Sequence, residues 1–175
     1  MATAVHEAGH AVVAMVSGIH VPSLVIKTTV TKRSCGAFVK EFSGANERLD
    51  LDKAPDRRTA VVVLAAGERA EVRWLRDQGL WTATRAWAVE IGALNDQALA
   101  RDIFGYYFGV DMQYGTSHDG HVDGADYWHY GSLAELILVP LWDQVLRIAG
   151  ALNERERLTG DEAAAFSGLL NPACP

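Results

Sequence analysis

The order of apolar and polar residues near the start of the chain predicts a helix followed by a small sheet. Residues 3 to 17 carry an apolar stripe with the three- and four-residue spacing of one helical face: Val5, Ala8, Val12, Val16 and Ile19. Gly18 stands where a helix commonly ends in a left-handed residue. From Val21 to Phe42, a run rich in β-branched residues between Val25 and Thr31, a polar turn at Lys32-Arg33-Ser34 and the segment Gly36–Lys40 predict a small antiparallel sheet.

The rest of the chain is predicted to be mainly helical. We expect helices from Pro55 to about Gln78, from Asn95 to Phe108, and from Gly131 to Leu152, the last one started or kinked by Pro140. A last helix opens at Thr159-Gly160-Asp161-Glu162, a capping-box pattern. The predicted fold class is therefore α+β, predominantly α-helical: a first helix, a small antiparallel sheet and a helical bundle, in a single domain over residues 1–175.

Composition narrows the class of protein further. Of the 175 residues, 49% are hydrophobic and 22% are charged, which suits a domain with its own core. The formal charge of −6 argues against a nucleic-acid binder. Cys35 and Cys174 are far apart and predict two free thiols. No apolar stretch is long enough for a membrane segment, and the N-terminus lacks the pattern of a secretory signal, so we expect a cytoplasmic protein.

Residues 6 to 10 read His-Glu-Ala-Gly-His, an HExxH motif on the predicted first helix. Two histidines four residues apart can occur by chance, but here they lie in an apolar, amphipathic helix. On a helix, residues i and i+4 share a face, so His6 and His10 can bind the same metal ion. Zinc lowers the pKa of water from 15.7 to about 7, and Glu7 is placed to accept the proton as general base.

A catalytic zinc site usually has three protein ligands, so one more residue is needed. Two candidates remain open from the residues alone. One is Asp96, at the start of the third predicted helix. The other is the segment from His118 to His129, where histidines and aspartates cluster in a glycine-rich stretch expected to be a loop. Glu71 is a further candidate, as a carboxylate that orients a ligand histidine from behind.

The chain resembles the protease domain of FtsH, the ATP-dependent zinc metalloprotease. Five segments carry the resemblance, in the same order as in that family: His6–Val13, Gly36–Val39, Leu64–Glu71, Gly92–Asp96 and Ala151–Glu162. They match, in turn, the HEAGHA helix, a glycine-containing edge strand, the LxGRxAEE helix, the GAxND segment and the closing helix. Arg69 departs from the pattern, which prefers a small residue at that position.

The resemblance implies one zinc ion per chain, bound by His6, His10 and Asp96, with Glu7 as the catalytic base. It also favours a peptide-binding edge strand, which would bind an extended substrate by β-addition. That strand contains Gly36, Ala37, Phe38 and Val39. The chain has no GxxxxGK[ST] phosphate loop, so the AAA+ ATPase of the family is absent from this sequence. We expect an ATPase in trans or on an upstream segment, or a stand-alone relative, and homo-oligomers are a further expectation.

The leading functional hypothesis is thus a zinc metalloendopeptidase that acts on a polypeptide substrate. An alternative from another class is a catalytically silent zinc-binding regulatory or interaction module on the same scaffold. A third is a zinc hydrolase that acts on other bonds. Glu7 argues against the silent module, because a purely structural zinc site needs no base.

Overall fold

The structure, a computed structural model, describes residues 1–32, 38–47, 49, 51–115 and 125–173. Within these ranges the chain is mainly helical, and the predicted α+β class with a small antiparallel sheet is confirmed. The helices are α1 (Ala2–Val16), α2 (Arg57–Asp77), α3 (Ala83–Gly92), α4 (Leu94–Phe108), α5 (Tyr127–Leu138), α6 (Trp142–Arg155) and α7 (Gly160–Ser167). The strands are β1 (Ser23–Lys32), β2 (Phe38–Glu47) and β3 (Arg157–Thr159), and a 3₁₀ turn spans Leu51–Lys53.

The sheet has the strand order β2-β1-β3, and both pairings are antiparallel. The hairpin of β1 and β2 is the predicted sheet, with Ile26 opposite Gly44 in its register. β3 was not predicted, because three residues are too few to show a strand pattern. Among the described strands, β2 is therefore an edge strand, and it lies on the side of the sheet away from β3.

The first helix is the centre of the core. Residues 4 to 15 of α1 are all buried, and α1 packs against α2 on one side and α6 on another. The contact with α2 is close at Gly9, where an added Cβ would lie 2.7 Å from the Ala66 carbonyl oxygen and from the Ala70 Cβ. A side chain at position 9 would push these helices apart. Because Gly9 has no side chain, the part of α1 that carries His6 and His10 packs directly against α2.

Local capping residues define where two of the helices begin. α2 begins at Arg57, two residues after Pro55, because the Asp56 side chain accepts a hydrogen bond from the Thr59 amide at 2.9 Å. α7 has the predicted capping box, in which Thr159 and Glu162 each accept from the other's backbone amide. Gly18, beyond the end of α1, has the predicted left-handed backbone with a φ of 80°.

Two predictions about helices need correction. The single helix predicted from Gly131 to Leu152 is in fact two, α5 and α6, separated around Pro140. Proline has no amide hydrogen to donate to the carbonyl four residues earlier, and its ring clashes with that carbonyl, so the helix is interrupted here. Residues 83–92 form α3, which the sequence did not predict; a single buried residue, Val89, leaves no apolar periodicity to detect.

In the described part of the chain, every helix is either too short or too polar to span a bilayer. The most apolar stretch near the C-terminus, residues 133–142, is divided between α5 and α6 by the break at Pro140.

Candidate metal centre

The three predicted ligands come together at one point. His6 and His10 project from the same face of α1, and Asp96 reaches them from the first turn of α4. Asp96 Oδ2 lies 3.2 Å from His6 Nε2 and 3.3 Å from His10 Nε2. Both histidines are buried, and the three ligand atoms are all within 4.8 Å of one another. Most of the other candidate, the segment from His118 to His129, lies outside the described residues, so the choice of Asp96 as third ligand stays a prediction.

These separations fit a tetrahedral metal site. Zinc binds histidine nitrogens and carboxylate oxygens at about 2.0–2.2 Å, so two ligands at a tetrahedral angle lie roughly 3.3–3.5 Å apart. The two distances from Asp96 to the histidines, 3.2 and 3.3 Å, are close to that edge length. The third separation, between the ligand nitrogens of the two histidines, is within 4.8 Å.

The far side of each imidazole is held by α2. His6 Nδ1 donates to Glu71 Oε2 at 3.2 Å, and His10 Nδ1 donates to the Val63 carbonyl oxygen at 2.7 Å. In a neutral imidazole with its proton on Nδ1, the Nε2 atom carries a lone pair. Two lone pairs and one carboxylate then face the same point. Such a convergence of acceptors is stable when a cation or a proton lies between them.

The pKa values show how strongly the site favours positive charge. Burial would lower the pKa of His6, but hydrogen bonds to Asp96 and Glu71 outweigh it and raise the pKa to about 10. Burial would also lower the pKa of His10, but the charge and the hydrogen bond of Asp96, together with the charge of Glu7, raise it. Burial would raise the pKa of Asp96, yet the two histidines hold it below its usual range. A divalent cation would supply the positive charge that these groups otherwise obtain from protons.

A glycine on α2 makes room for both rings. A Cβ at Gly67 would overlap His10 Nε2 and would lie 2.6 Å from His6 Nε2. The helix backbone at Gly67 therefore lies directly against the two imidazole nitrogens of the candidate metal site. This residue belongs to the segment that resembles the family helix, but its contact with the imidazoles was not predicted.

Glu7 and the three ligands line the same cavity, which has a volume of about 390 Å³. The Glu7 side chain is 5% exposed and lies under β2, because a Cβ at Gly44 would overlap its carboxylate. The Gly44 backbone thus confines the Glu7 carboxylate, whose negative charge contributes to the raised pKa of both histidines. Apolar residues complete the wall of the cavity: Leu49, Leu51, Leu64 and Leu99.

Two other predicted features are described only in part. Phe38 and Val39 lie in β2, the edge strand, as the sequence predicted, whereas Gly36 and Ala37 fall outside the described residues. Most of the segment from His118 to His129 also falls outside them. At its end, Asp126 caps α5 by accepting from the Trp128 amide. Peptide binding by the strand and a role for the loop stay predictions.

Sequence reasoning missed several residues that build the site. The Val63 carbonyl is a backbone group, so no side chain marks it in the sequence. Asn95 lines the cavity beside Asp96, and it had been noted merely as part of the GAxND segment. Gly44 had no signal, since its importance comes from the contact between β2 and α1. Periodicity could have placed Leu64 and Gly67 on one face of α2, but not against the histidines.

Comparisons with known proteins give no independent identification. A comparison with models of protein families found no match, and a search of curated proteins found none either. The site itself is therefore the basis on which a function can be proposed.

Glu71 offers a direct test of how the site is supported. Replacing Glu71 with alanine removes the acceptor behind His6, and we expect zinc affinity to fall by about 10–100-fold. Glu71→Gln, whose amide oxygen can still accept, should lose less. The measurement is a competition titration with a zinc chelator, and Glu154→Ala, an exposed position on α6, is the matched control. Equal affinities in Glu71→Ala and the control would show that His6 needs no such support.

Proposed function

We propose that the chain is a zinc-dependent metalloendopeptidase. The observation that carries this proposal is the convergence of His6, His10 and Asp96 in a cavity that Glu7 also lines. A site built to bind zinc for stability alone is closed by four ligands. Here two buried histidines and a half-buried aspartate meet at one point, and the Glu7 carboxylate, which is not part of this group of three, lines the adjoining cavity.

The donor set supports zinc as the metal. Imidazole and carboxylate ligands in tetrahedral array suit Zn²⁺, whereas Mg²⁺ and Ca²⁺ prefer six or more oxygens. The ring nitrogens on the far side are already bonded to Glu71 and Val63, as is usual for histidines that bind zinc. One ion per chain follows from one such cluster in the described part of the molecule.

The chain's own residues would do the rest of the chemistry. When bound, zinc polarises a carbonyl and makes a water more acidic. Glu7 accepts the proton of the attacking water and then delivers it to the nitrogen of the leaving amine. Burial of Glu7 against β2 keeps its carboxylate fixed at this position. The hydrogen bonds of the two histidines hold their rings in place through the reaction.

The dimensions of the cavity favour a flexible polypeptide as substrate. A volume of about 390 Å³ takes a few residues, so a folded protein would have to present an extended segment. β2, an edge strand among those described, passes over Glu7 at Gly44 and is suitably placed to align such a segment by β-addition. The leucines of the wall favour apolar side chains at the bond that is cut.

We extend the proposal to the family that the motifs resemble: a peptidase of the FtsH type without the AAA+ ATPase. The order of helices and sheet and the position of Asp96 are compatible with it. In this proposal an ATPase in trans, or one on a segment outside this sequence, would deliver unfolded substrate. Homo-oligomers belong to the same proposal. A stand-alone enzyme would take substrates that are already unfolded.

Zinc content and cleavage, measured together, test the function. We expect about one zinc per chain by elemental analysis, and cleavage of a reduced, alkylated protein that stops on chelation and returns with zinc. Asp96→Ala should lose both, because two histidines alone bind weakly, while Asp111→Ala, at an exposed loop position, should keep both. Zinc content in Asp96→Ala equal to wild type would move the third ligand elsewhere. Zinc without cleavage would favour the regulatory module.

A further inference from the structure

The cavity contains many hydrogen-bond acceptors and few donors. Glu7 and Asp96 contribute carboxylates, and the Nδ1–H donors of His6 and His10 are bonded away from the cavity to Glu71 and Val63. Apart from glycine, the other lining residues are leucines, with one exception. Among the described side chains that line the cavity, Asn95 alone brings an N–H donor that is not already engaged on the far side.

Asn95 is placed by an element that is firmly held. It lies in the first turn of α4, directly before Asp96, and one turn before Leu99, which lines the same cavity. The residue after Asp96, Gln97, is fixed at two points. Its side chain donates to Glu68 Oε2 at 3.4 Å, and its carbonyl oxygen accepts from the Tyr114 hydroxyl at 2.7 Å.

The Asn95 side chain itself is exposed to the cavity and makes no hydrogen bond with the described residues. A fixed backbone with an amide left unpaired is the arrangement expected for a group that binds a ligand. The backbone that carries this amide would need no rearrangement, because α4 already holds it directly before Asp96.

We propose that Asn95 is a catalytic residue that donates a hydrogen bond to the carbonyl oxygen of the bond being cut. This inference rests on the proposed peptidase function. As the water oxygen bonds to the carbonyl carbon, the C=O electron pair moves onto the carbonyl oxygen, which becomes negative. The pair returns when the C–N bond breaks and the amine leaves with a proton. An amide donor beside Asp96 stabilises the charged state more than the neutral substrate.

The experiment compares Asn95→Ala with Asn153→Ala, an exposed asparagine on α6, in the zinc-loaded full chain. Alanine is a good helix former, so α4 should remain folded. Removing one such donor typically lowers kcat by about 10²–10³-fold, and we expect that loss with KM and zinc content unchanged. A phosphinic peptide, whose tetrahedral phosphorus carries the charged oxygen, should bind to Asn95→Ala about 100-fold more weakly by calorimetry.

The outcomes separate this inference from the proposed function. If wild type cleaves peptides and Asn95→Ala cleaves equally well and binds the phosphinic peptide equally, the role of Asn95 is wrong and the peptidase stands. A rise in KM with kcat unchanged also overturns it, because Asn95 would then bind substrate and transition state alike. A wild-type protein that neither cleaves peptides nor binds the phosphinic peptide overturns both.

Discussion

Replacing Glu7 with glutamine is expected to lower peptide cleavage by about 10²–10⁴-fold, the range typical of a lost general base. Glutamine has nearly the same shape and fits the same space under Gly44, but its amide cannot accept a proton from water. The ligands His6, His10 and Asp96 are untouched, so zinc content should stay at the wild-type value. The measurement is kcat for a fluorogenic peptide, together with elemental analysis of the same samples.

This variant also separates the enzyme from the silent module. Glu154→Gln, the same substitution at an exposed position on α6, controls for the change in charge and should keep full activity. Cleavage by Glu7→Gln at the wild-type rate would contradict the mechanism. If neither wild type nor variant cleaves any peptide while both bind zinc, a regulatory or interaction module becomes the better description.

Replacing Gly67 with alanine is expected to disrupt the candidate metal site, because the added methyl group would displace the two histidine rings. A methyl group there would overlap His10 Nε2 and crowd His6 Nε2, so both rings must turn away from Asp96. We expect zinc affinity to fall by at least about 100-fold, the upper end for loss of a supporting contact. Overpacking a core typically costs about 1–3 kcal/mol of unfolding free energy, which outweighs the gain of about 0.5–1 kcal/mol from alanine in a helix.

Gly105→Ala is the matched control for that experiment. Gly105 is also within a helix, α4, but an added Cβ meets nothing within 4 Å. There the helix-forming advantage of alanine should stand alone and raise the unfolding free energy by about 0.5–1 kcal/mol. Denaturant unfolding and zinc titration of both variants check the pair. If Gly67→Ala were as stable as Gly105→Ala and kept its zinc, the packing of α2 against the imidazoles would be wrong.

The elements that sequence predicted well are those with a local physical signal. α1 shows a clear apolar stripe, the first strand of the hairpin is rich in β-branched residues and is followed by a polar turn in the sequence, and α7 carries its own capping box. α3 and β3 lacked such signals: α3 buries little, and β3 exists because it pairs with β1. Pro140 marked an irregularity, but whether it would kink a helix or divide it depended on how α5 and α6 pack.

At the candidate site, the sequence could predict the ligands and the base, but not the contacts that hold them in place. His6, Glu7 and His10 share a motif whose spacing has a geometric reason. The resemblance to a known family added Asp96, which lies 86 residues after His10 in the sequence. The supporting contacts come from packing between distant elements. These contacts are made by backbone positions: the carbonyl of Val63 accepts from His10, Gly67 leaves room for both imidazoles, and Gly44 lies against Glu7. Residue type alone does not reveal them before the elements have packed.

The distance along the chain between the ligands has a consequence for folding. His6 and Asp96 are 90 residues apart in sequence, and they belong to helices that each pack on α2. A metal ion between them would close a long loop, as a disulfide does. For a loop of that length, the chain-entropy estimate of the effect on the unfolded state is about 4–5 kcal/mol. The ion that activates a substrate would then also act as a cross-link, and stripping it would make the protein itself vulnerable to proteolysis.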